Sequence, residues 1–224
     1  MILYTWTGSP VCRPIQMFIA DHRMKVRQRF VDLVAGEQSG PAFMAINPGA
    51  AVPVLDDGAF RLTESSAILK YLADAVRSPA YPKALRPRAQ VNAVMDWANT
   101  GLYRTFGYGF CYPQVLDSLK WSDPNTQSQV LAAGQSGSER LLGVMNDHLL
   151  GGRWPWLCGE RITIADYFTS GIVSMGELTG CTFAEWPRVQ RWYKRMQDLP
   201  NWKSANAALY DWANAVKGPE YLRI

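Results

Sequence analysis

The amino-terminal stretch ILYTWTGSPVC, residues 2–12, decides the fold of the first part of this chain. Residues 2–6 form a short apolar run that is typical of a buried strand. The segment SPVC at 9–12 predicts the start of a helix, because proline loses nothing in a first helical turn. This segment has the spacing of a Cys-x-x-Cys redox motif, with serine where the attacking cysteine would stand. A sulfur nucleophile must therefore come from elsewhere.

Strand and helix signals continue to alternate through the first eighty residues. A second strand is predicted at 26–33, followed by a loop at 35–51 that is rich in Gly, Pro and Asn and has room for a short helix. Two apolar runs flank Asp57-Gly58, which is a strong signal for a two-residue hairpin. Thr63 is predicted to cap the helix that follows. This order of elements indicates a thioredoxin-like α/β domain.

A proline-spaced stretch at 78–87 predicts a linker. Beyond it the strand signals stop, and apolar residues recur at helical intervals. We therefore predict a thioredoxin-like domain at 1–77 and an all-helical domain at 88–224. Within the second domain, Thr163 and Asp166 have the spacing of a capping box, which is a structural feature of a helix start.

The charge balance argues against several classes of partner. The chain has 23 basic and 19 acidic residues, a net charge of +4. Its densest basic segment, 188–195, alternates with apolar residues at helical spacing, so we interpret it as the solvated face of a helix and predict no nucleic-acid partner. The sequence contains neither a run of eighteen apolar residues nor a signal-peptide pattern. We predict a cytoplasmic protein without membrane contact.

Cysteine and histidine placement narrows the possible chemistry. A chain of 224 residues does not need disulfides, so we expect reduced thiols. Only two histidines are present, His22 and His148, and both lie near predicted helix ends, which disfavours serine–histidine or cysteine–histidine catalysis. The spacing of the cysteines fits no metal site, so we predict no metal. The four cysteines are Cys12, Cys111, Cys158 and Cys181.

Several motifs resemble those of the soluble glutathione transferases, most of all the theta-type group that uses a serine. The resemblance extends over nearly the whole chain and is densest in the first domain. It implies a homodimeric detoxification enzyme that adds the glutathione thiolate to small hydrophobic electrophiles, such as halides, epoxides or activated alkenes. The motifs are SPVCR (9–13), VDL (31–33), AF (42–43), INP (46–48), VP (52–53), DGAF (57–60), LTESSAIL (62–69), TFG (105–107) and IAD (164–166).

The resemblance also implies a glutathione site. The backbone of Val52-Pro53, with a cis peptide bond, would pair with the extended tripeptide. Glu64 and Ser65, at a helix start, would hold its amine and its carboxylate. Ala51 stands where the family often has a basic residue, and Gln38 stands where it often has a histidine. We include both positions in the site and expect the glycine carboxylate either to be held more loosely or to be bound by another cation.

Ser9 is the residue that we expect to activate the thiol. Its hydroxyl, at the amino end of a helix, would donate a hydrogen bond to the sulfur, and the helix dipole would favour the thiolate. Thr7 is the second choice, whereas Tyr4 is interpreted as core and Cys12 as packing. Arg13 either supports the ligand carboxylate or faces solvent, and the sequence leaves both possibilities open.

The electrophile pocket is predicted between the two domains. Tyr103, Arg104 and Phe106 are its expected lining, and the aromatic tail near Tyr221 is a further candidate. Two other classes of function remain open from the sequence. A glutathione-dependent disulfide or peroxide reductase would share the fold and the first substrate, and a non-catalytic ligand-binding module would share the fold alone.

Overall fold

The computed structural model describes residues 1–217 and 220–224. Its first part contains β1 (Ile2–Thr5), α1 (Arg13–Asp21), β2 (Arg27–Phe30), a 3₁₀ turn (Glu37–Ser39), α2 (Pro41–Met44), β3 (Val54–Asp57), β4 (Phe60–Leu62) and α3 (Ser65–Ala75). The strands form a four-stranded sheet in the order β2-β1-β3-β4. β1 is parallel to β2, whereas the β1–β3 and β3–β4 pairs are antiparallel. The α/β fold predicted for this part is confirmed.

The alternation of side chains along β1 separates two cores. Leu3 lies in the large core with Phe18, while Tyr4 lies on the opposite face with Val31 and Phe43. Successive strand residues point to opposite faces of a sheet, so both faces of β1 are covered. The prediction of a buried first strand is therefore confirmed, and Tyr4 belongs to the core.

The β3–β4 hairpin forms in the predicted region, but its two-residue turn lies one residue further along the chain than predicted. Asp57 pairs with Phe60, so the two-residue turn is Gly58-Ala59. Gly58 has a φ of +65°. A type II′ turn needs a positive φ at its first central residue, and glycine adopts that value without steric cost.

Two helix starts differ from the sequence predictions. Regular helix in α1 begins at Arg13 rather than Pro10, although the Arg13 N–H already donates to the carbonyl oxygen of Ser9 at 3.1 Å. In α3 the residue before the helix is Glu64, and no side chain caps the first turn. The prediction of Thr63 as the cap is wrong. The backbone of Glu64, with a φ of +65°, turns the chain into the helix and leaves Thr63 one residue too early.

The second part consists of helices and their connections, as predicted. α4 begins at Leu85, inside the predicted linker, and the carbonyl oxygen of Ala80 accepts a hydrogen bond from the Ile164 N–H at 2.9 Å. The segment 78–87 is thus packed against the second part, and the exact domain boundaries stay a prediction. The elements are α4 (Leu85–Trp97), a π-helical segment (Ala98–Cys111), α5 (Tyr112–Val115), α6 (Pro124–Val144), a π-helical turn (Met145–Leu149), α7 (Ile164–Val173), a 3₁₀ turn (Ser174–Leu178), α8 (Pro187–Gln197), α9 (Trp202–Ala205) and α10 (Ala207–Ala215).

α7 is the central support of the helical part. Its start carries the predicted capping box of Thr163 and Asp166. The fully buried Asp166 carboxylate also accepts hydrogen bonds from the Leu157 N–H and the Trp192 indole, each at 2.9 Å. Within the described residues, no helix is both long and apolar enough to cross a membrane.

α7 also lies directly against the turn that carries Ser9. A Cβ atom at Gly171 would overlap the carbonyl oxygen of Pro10 and the ring of Pro14. Only glycine permits this close approach, because it has no side chain. The first and second parts of the chain therefore share one continuous core beneath this turn.

Candidate active site

A cavity of about 130 Å³ lies between the loop before β3, the start of α3 and the π-helical segment. We call it the α3 cavity. Five of the predicted glutathione-site residues, Ala51, Val52, Pro53, Glu64 and Ser65, line it together. The complete lining is Val11, Asn47, Ala51, Val52, Pro53, Thr63, Glu64, Ser65, Asn99 and Tyr103.

Val52 presents an unpaired peptide edge to the α3 cavity. The Val52-Pro53 bond is cis, as the family resemblance implies. β3 begins only at Val54, and within the described residues neither the N–H nor the carbonyl oxygen of Val52 takes part in a hydrogen bond. An extended peptide can pair with such a free edge. The backbone here fits a tripeptide ligand.

The start of α3 adds polar groups to the same cavity. Glu64 has φ +65° and ψ +112°, a conformation that non-glycine residues rarely adopt and that tends to occur at functional sites. Its exposed carboxylate forms no ion pair within the described residues. The Ser65 and Ser66 N–H groups belong to the first turn, where a helix offers unpaired donors and a positive dipole end. This arrangement suits a ligand that carries both an amine and a carboxylate.

Ser9 lies two residues before Val11, which lines the α3 cavity. Ser9 as a whole is 7% exposed. Ser9 Oγ accepts from the backbone N–H groups of Val11 (3.4 Å) and Cys12 (3.3 Å). Both contacts use the oxygen as an acceptor, so the hydroxyl proton stays free to be donated. The geometry provides a hydrogen-bond donor at the amino end of α1.

The buried Arg13 side chain anchors the turn that carries Ser9 by bonding to the residue before it. It is 1% exposed, which excludes the solvent-facing alternative, and it lies in the core rather than in the α3 cavity. Its guanidinium donates to the carbonyl oxygen of Gly8 (2.6 Å), to Asn206 Oδ1 (2.8 Å) and to Ser174 Oγ (2.8 Å). Burial lowers the pKa of Arg13, yet an arginine side chain remains charged in proteins. Within the described residues no carboxylate pairs with this charge.

The other candidates near the sulfur position are less suited to activation. Cys12 has no exposed surface, and burial raises the pKa of its thiol. Tyr4 packs edge-on against Phe43 with ring centroids 6.2 Å apart. Thr7 lines a different cavity, next to Gln28 of β2. Cys12 and Tyr4 are therefore part of the packing.

A larger cavity of about 480 Å³ is lined by Trp6, three residues before Ser9 in the chain. We call it the aromatic cavity. Its wall continues from the α3 cavity through a series of rings: Tyr103–Tyr108 (5.2 Å between centroids), Tyr108–Tyr112 (5.2 Å), Tyr112–Trp212 (6.3 Å) and Trp212–Trp6 (6.4 Å). The complete lining, which includes no charged side chain in the described part of the chain, is Trp6, Leu33, Val34, Tyr112, Leu116, Ser118 and Trp212.

The residues predicted to line an electrophile pocket need correction. Phe106 has no exposed surface and packs against Phe110 and Phe183, so it belongs to the core. Arg104 is exposed and lines neither cavity. Tyr103 lines the α3 cavity instead, and Tyr221 lies outside both linings, its hydroxyl donating to the carbonyl oxygen of Val216 at 3.0 Å.

Gln38 does not line the α3 cavity with the other predicted glutathione-site residues. It lies in the 3₁₀ turn before α2, outside the lining of the α3 cavity, and its Oε1 is buried without a hydrogen-bond partner in the described part of the chain. Asn47, which sequence reasoning missed, lies closer. Its Nδ2 donates to the carbonyl oxygen of Ala51 at 2.7 Å and so fixes the loop that leads into Val52.

Asn99 was also missed, although a signal for it exists. It precedes Tyr103 by four residues, and side chains with that spacing share one face of a helix. Once Tyr103 is known to line the cavity, Asn99 can be expected to line it as well. Trp6 and Trp212, by contrast, are far apart in sequence, and no local pattern links them.

Comparison with known proteins agrees with this geometry. Residues 1–74 match the family model for the glutathione S-transferase N-terminal domain, and residues 113–200 match that for the C-terminal domain. Glutathione S-transferase theta-1 of Rattus norvegicus is 31% identical over 207 residues, which cover 87% of this chain and 81% of the rat protein.

Solved structures of human enzymes have the same architecture. The apo form of human glutathione-S-transferase T1-1 superposes with a TM-score of 0.83 and 28% identity, covering 95% of this chain and 90% of that one. Human glutathione transferase theta-2, solved in complex with glutathione and an unknown ligand, gives a TM-score of 0.85 and 26% identity, covering 98% and 94%.

Proposed function

The chain belongs to the glutathione S-transferase family and is a theta-type enzyme that conjugates glutathione, and from this premise we propose that Ser9 activates the glutathione thiol. The Ser9 hydroxyl would donate a hydrogen bond to the sulfur while the serine itself stays protonated. The observation that carries the proposal is the bonding of Ser9 Oγ. It accepts two backbone N–H groups and keeps its proton, next to a cavity with a free peptide edge.

The energetic demand on this hydrogen bond is modest. A free thiol with a pKa of about 8.5 is about 3% ionised at pH 7, and lowering that pKa to roughly 6.5 raises the thiolate fraction ~25-fold for about 2.7 kcal/mol. Because nucleophilicity falls with pKa, roughly 6- to 10-fold of that gain is lost. Holding the sulfur beside the electrophile and excluding water must supply the rest of the acceleration.

The tripeptide itself would lie across the α3 cavity. The Val52 backbone would pair with the cysteinyl peptide, the first-turn N–H groups of α3 would hold the γ-glutamyl carboxylate, and Glu64 would pair with the amine. Position 51 is alanine, so it supplies no positive charge for the glycine carboxylate. The glycine carboxylate would then contact neutral donors, with the Gln38 amide as the candidate from the sequence.

We expect Glu64→Ala to raise the Michaelis constant for glutathione about fivefold, with a smaller change in turnover, because an exposed ion pair contributes modestly to binding. Steady-state kinetics at varied glutathione concentration measure both constants. Glu139→Ala removes an exposed carboxylate from α6 and is the matched control. An unchanged Michaelis constant in Glu64→Ala would remove Glu64 from the site.

We propose that the electrophile occupies the aromatic cavity. A volume of about 480 Å³ with an apolar, aromatic lining selects neutral, ring-containing electrophiles. Trp6 lines this cavity and Val11 lines the α3 cavity, so along the chain Ser9 lies between a residue of each lining. We propose that a sulfur held at this turn reacts with an electrophile in the aromatic cavity.

Trp212→Ala should then raise the Michaelis constant for a nitroaryl halide roughly 5- to 10-fold, since it removes an aromatic face worth about 1 kcal/mol or more. The constant for a small alkyl halide should change less than about twofold. Trp121→Ala, which removes a tryptophan that is 57% exposed, should change neither. Equal effects of Trp212→Ala on both electrophiles would assign the aryl site elsewhere.

The same premise supports two further proposals about assembly and location. We infer that the enzyme works as a homodimer in the cytoplasm, on the strength of the family resemblance. Sedimentation of the purified protein at micromolar concentration tests the dimer, which should have twice the mass of the 25.1 kDa chain.

A reductase role finds no support in Cys12, because a buried thiol with a raised pKa is a poor nucleophile.

A further inference from the structure

A second polar cleft lies far from the conjugation site in the chain, on α8 and the loop at 150–155. It has a volume of about 210 Å³ and is lined by four arginines, Arg153, Arg188, Arg191 and Arg195, together with Trp154. We call it the arginine cleft. None of its lining residues lines the α3 cavity or the aromatic cavity.

Helical spacing brings three of these arginines to one side of α8. Arg188, Arg191 and Arg195 follow each other at intervals of three and four residues, which is the repeat of one helix face. The fourth comes from the loop, where the Arg153 guanidinium lies 4.2 Å from the centre of the Trp154 ring. Arg195 is tied to this loop through the carbonyl oxygen of Pro155, to which its Nη1 donates at 3.2 Å.

The negative charge near these side chains does not balance them. Asp147 is 3.4 Å from Arg188 and 73% exposed, which makes it a weak partner. Residues 187–197 contain no acidic side chain, and Asp198 pairs with Lys194 at 2.6 Å, not with an arginine of the cleft. The Arg191 side chain forms neither a hydrogen bond nor an ion pair within the described residues. The cleft thus gathers four positive charges, and in the described part of the chain one exposed carboxylate lies within ion-pair distance of them.

We propose that the arginine cleft binds the phosphate group of a small phosphomonoester, with the Trp154 ring contacting the organic part. Guanidinium groups match phosphate oxygens in a bidentate manner and form charge-assisted hydrogen bonds. An anion would also relieve the repulsion between the arginines. Trp154 is 38% exposed, so its ring offers an apolar surface beside the charges.

The size of the cleft favours a small ligand over a macromolecule. A volume of about 210 Å³ equals roughly seven waters at about 30 Å³ each. A phosphate group with a short organic substituent fills such a space. A flat basic surface for a membrane or a nucleic acid would instead spread its charges along a face.

The test uses the full-length enzyme with phenyl phosphate and inorganic phosphate as probes, titrated by calorimetry at low salt in the presence of saturating S-methylglutathione. Phenyl phosphate should bind with a dissociation constant on the order of 1 mM or below. Arg191→Gln should weaken it roughly tenfold or more, as expected for a lost hydrogen bond between charged groups. Trp154→Ala should reduce the binding of phenyl phosphate to the level of inorganic phosphate.

A control variant and a kinetic measurement separate binding in the arginine cleft from a general effect of charge. Arg86→Gln removes an exposed arginine at the start of α4 and should leave binding unchanged, while conjugation kinetics should be the same in all three variants. The proposal is overturned if neither probe binds at 10 mM, or if Arg191→Gln and Arg86→Gln weaken binding equally. Binding to phosphatidylserine vesicles without binding of phenyl phosphate would also overturn it and assign the cleft to a membrane surface.

Discussion

Ser9→Ala is expected to lower the turnover of glutathione conjugation more than tenfold at pH 7 while the affinity for glutathione changes little. The variant removes the only part of the proposed machinery that contacts sulfur and leaves the α3 cavity intact. Loss of the thiolate stabilisation costs a few-fold in rate. Loss of a fixed sulfur position costs the remainder, because orientation contributes to the rate independently of ionisation.

A change in protein stability cannot account for that result. The contacts of Ser9 Oγ with two backbone N–H groups are long, at 3.4 and 3.3 Å, and the loss of such hydrogen bonds costs about 1 kcal/mol. The variant should therefore remain folded. Thr7→Ala and Tyr4→Phe remove the neighbouring hydroxyl groups and should retain turnover within about twofold of the wild type. Retained turnover in Ser9→Ala, with loss in either control, would transfer the role to Thr7 or Tyr4.

Arg13→Met should lower the free energy of unfolding by about 3 kcal/mol, the largest stability effect that we expect in the first part of the chain. It leaves two buried acceptors, the carbonyl oxygen of Gly8 and Asn206 Oδ1, without a donor in the described residues. An unsatisfied buried acceptor costs about 1–3 kcal/mol. Turnover should also fall, because Gly8 precedes Ser9 and its peptide group loses its anchor.

Urea denaturation at fixed protein concentration measures this effect, with the midpoint expected to fall and the slope to stay constant. Arg86→Met makes the same change in charge at an exposed position and should stay within about 0.5 kcal/mol of the wild type. If Arg13→Met is as stable as Arg86→Met, the buried guanidinium does not hold the Ser9 turn.

Local signals predicted much of the fold and of the α3 cavity. The hairpin at 57–60 and the position of Glu64-Ser65 at a helix start each depend on neighbouring residues, so a short motif is enough to indicate them. The cis Val52-Pro53 bond was implied by the family resemblance and not by a local signal. Even there, small shifts occurred. The turn moved by one residue to place Gly58 where a positive φ is needed, and Glu64 took the position expected for Thr63.

Contacts between distant parts of the chain could not be predicted. Arg13 bonds to Ser174 and Asn206, which lie 161 and 193 residues away, and no local pattern indicates such partners. The pocket prediction failed for the same reason. Phe106 is apolar and central in its helix, but whether it faces a cavity or the core depends on Phe183, which lies elsewhere in the sequence.

The most direct measurement is the titration of enzyme-bound glutathione by ultraviolet difference absorbance of the thiolate. We expect an apparent pKa near 6.5 in the wild type, about two units below the free thiol, and a return toward about 8.5 in Ser9→Ala. The rate deficit of Ser9→Ala should then shrink as the pH rises through that range. A bound thiol that titrates near 8.5 in the wild type, or an unchanged pKa in Ser9→Ala, would contradict activation by the Ser9 hydroxyl.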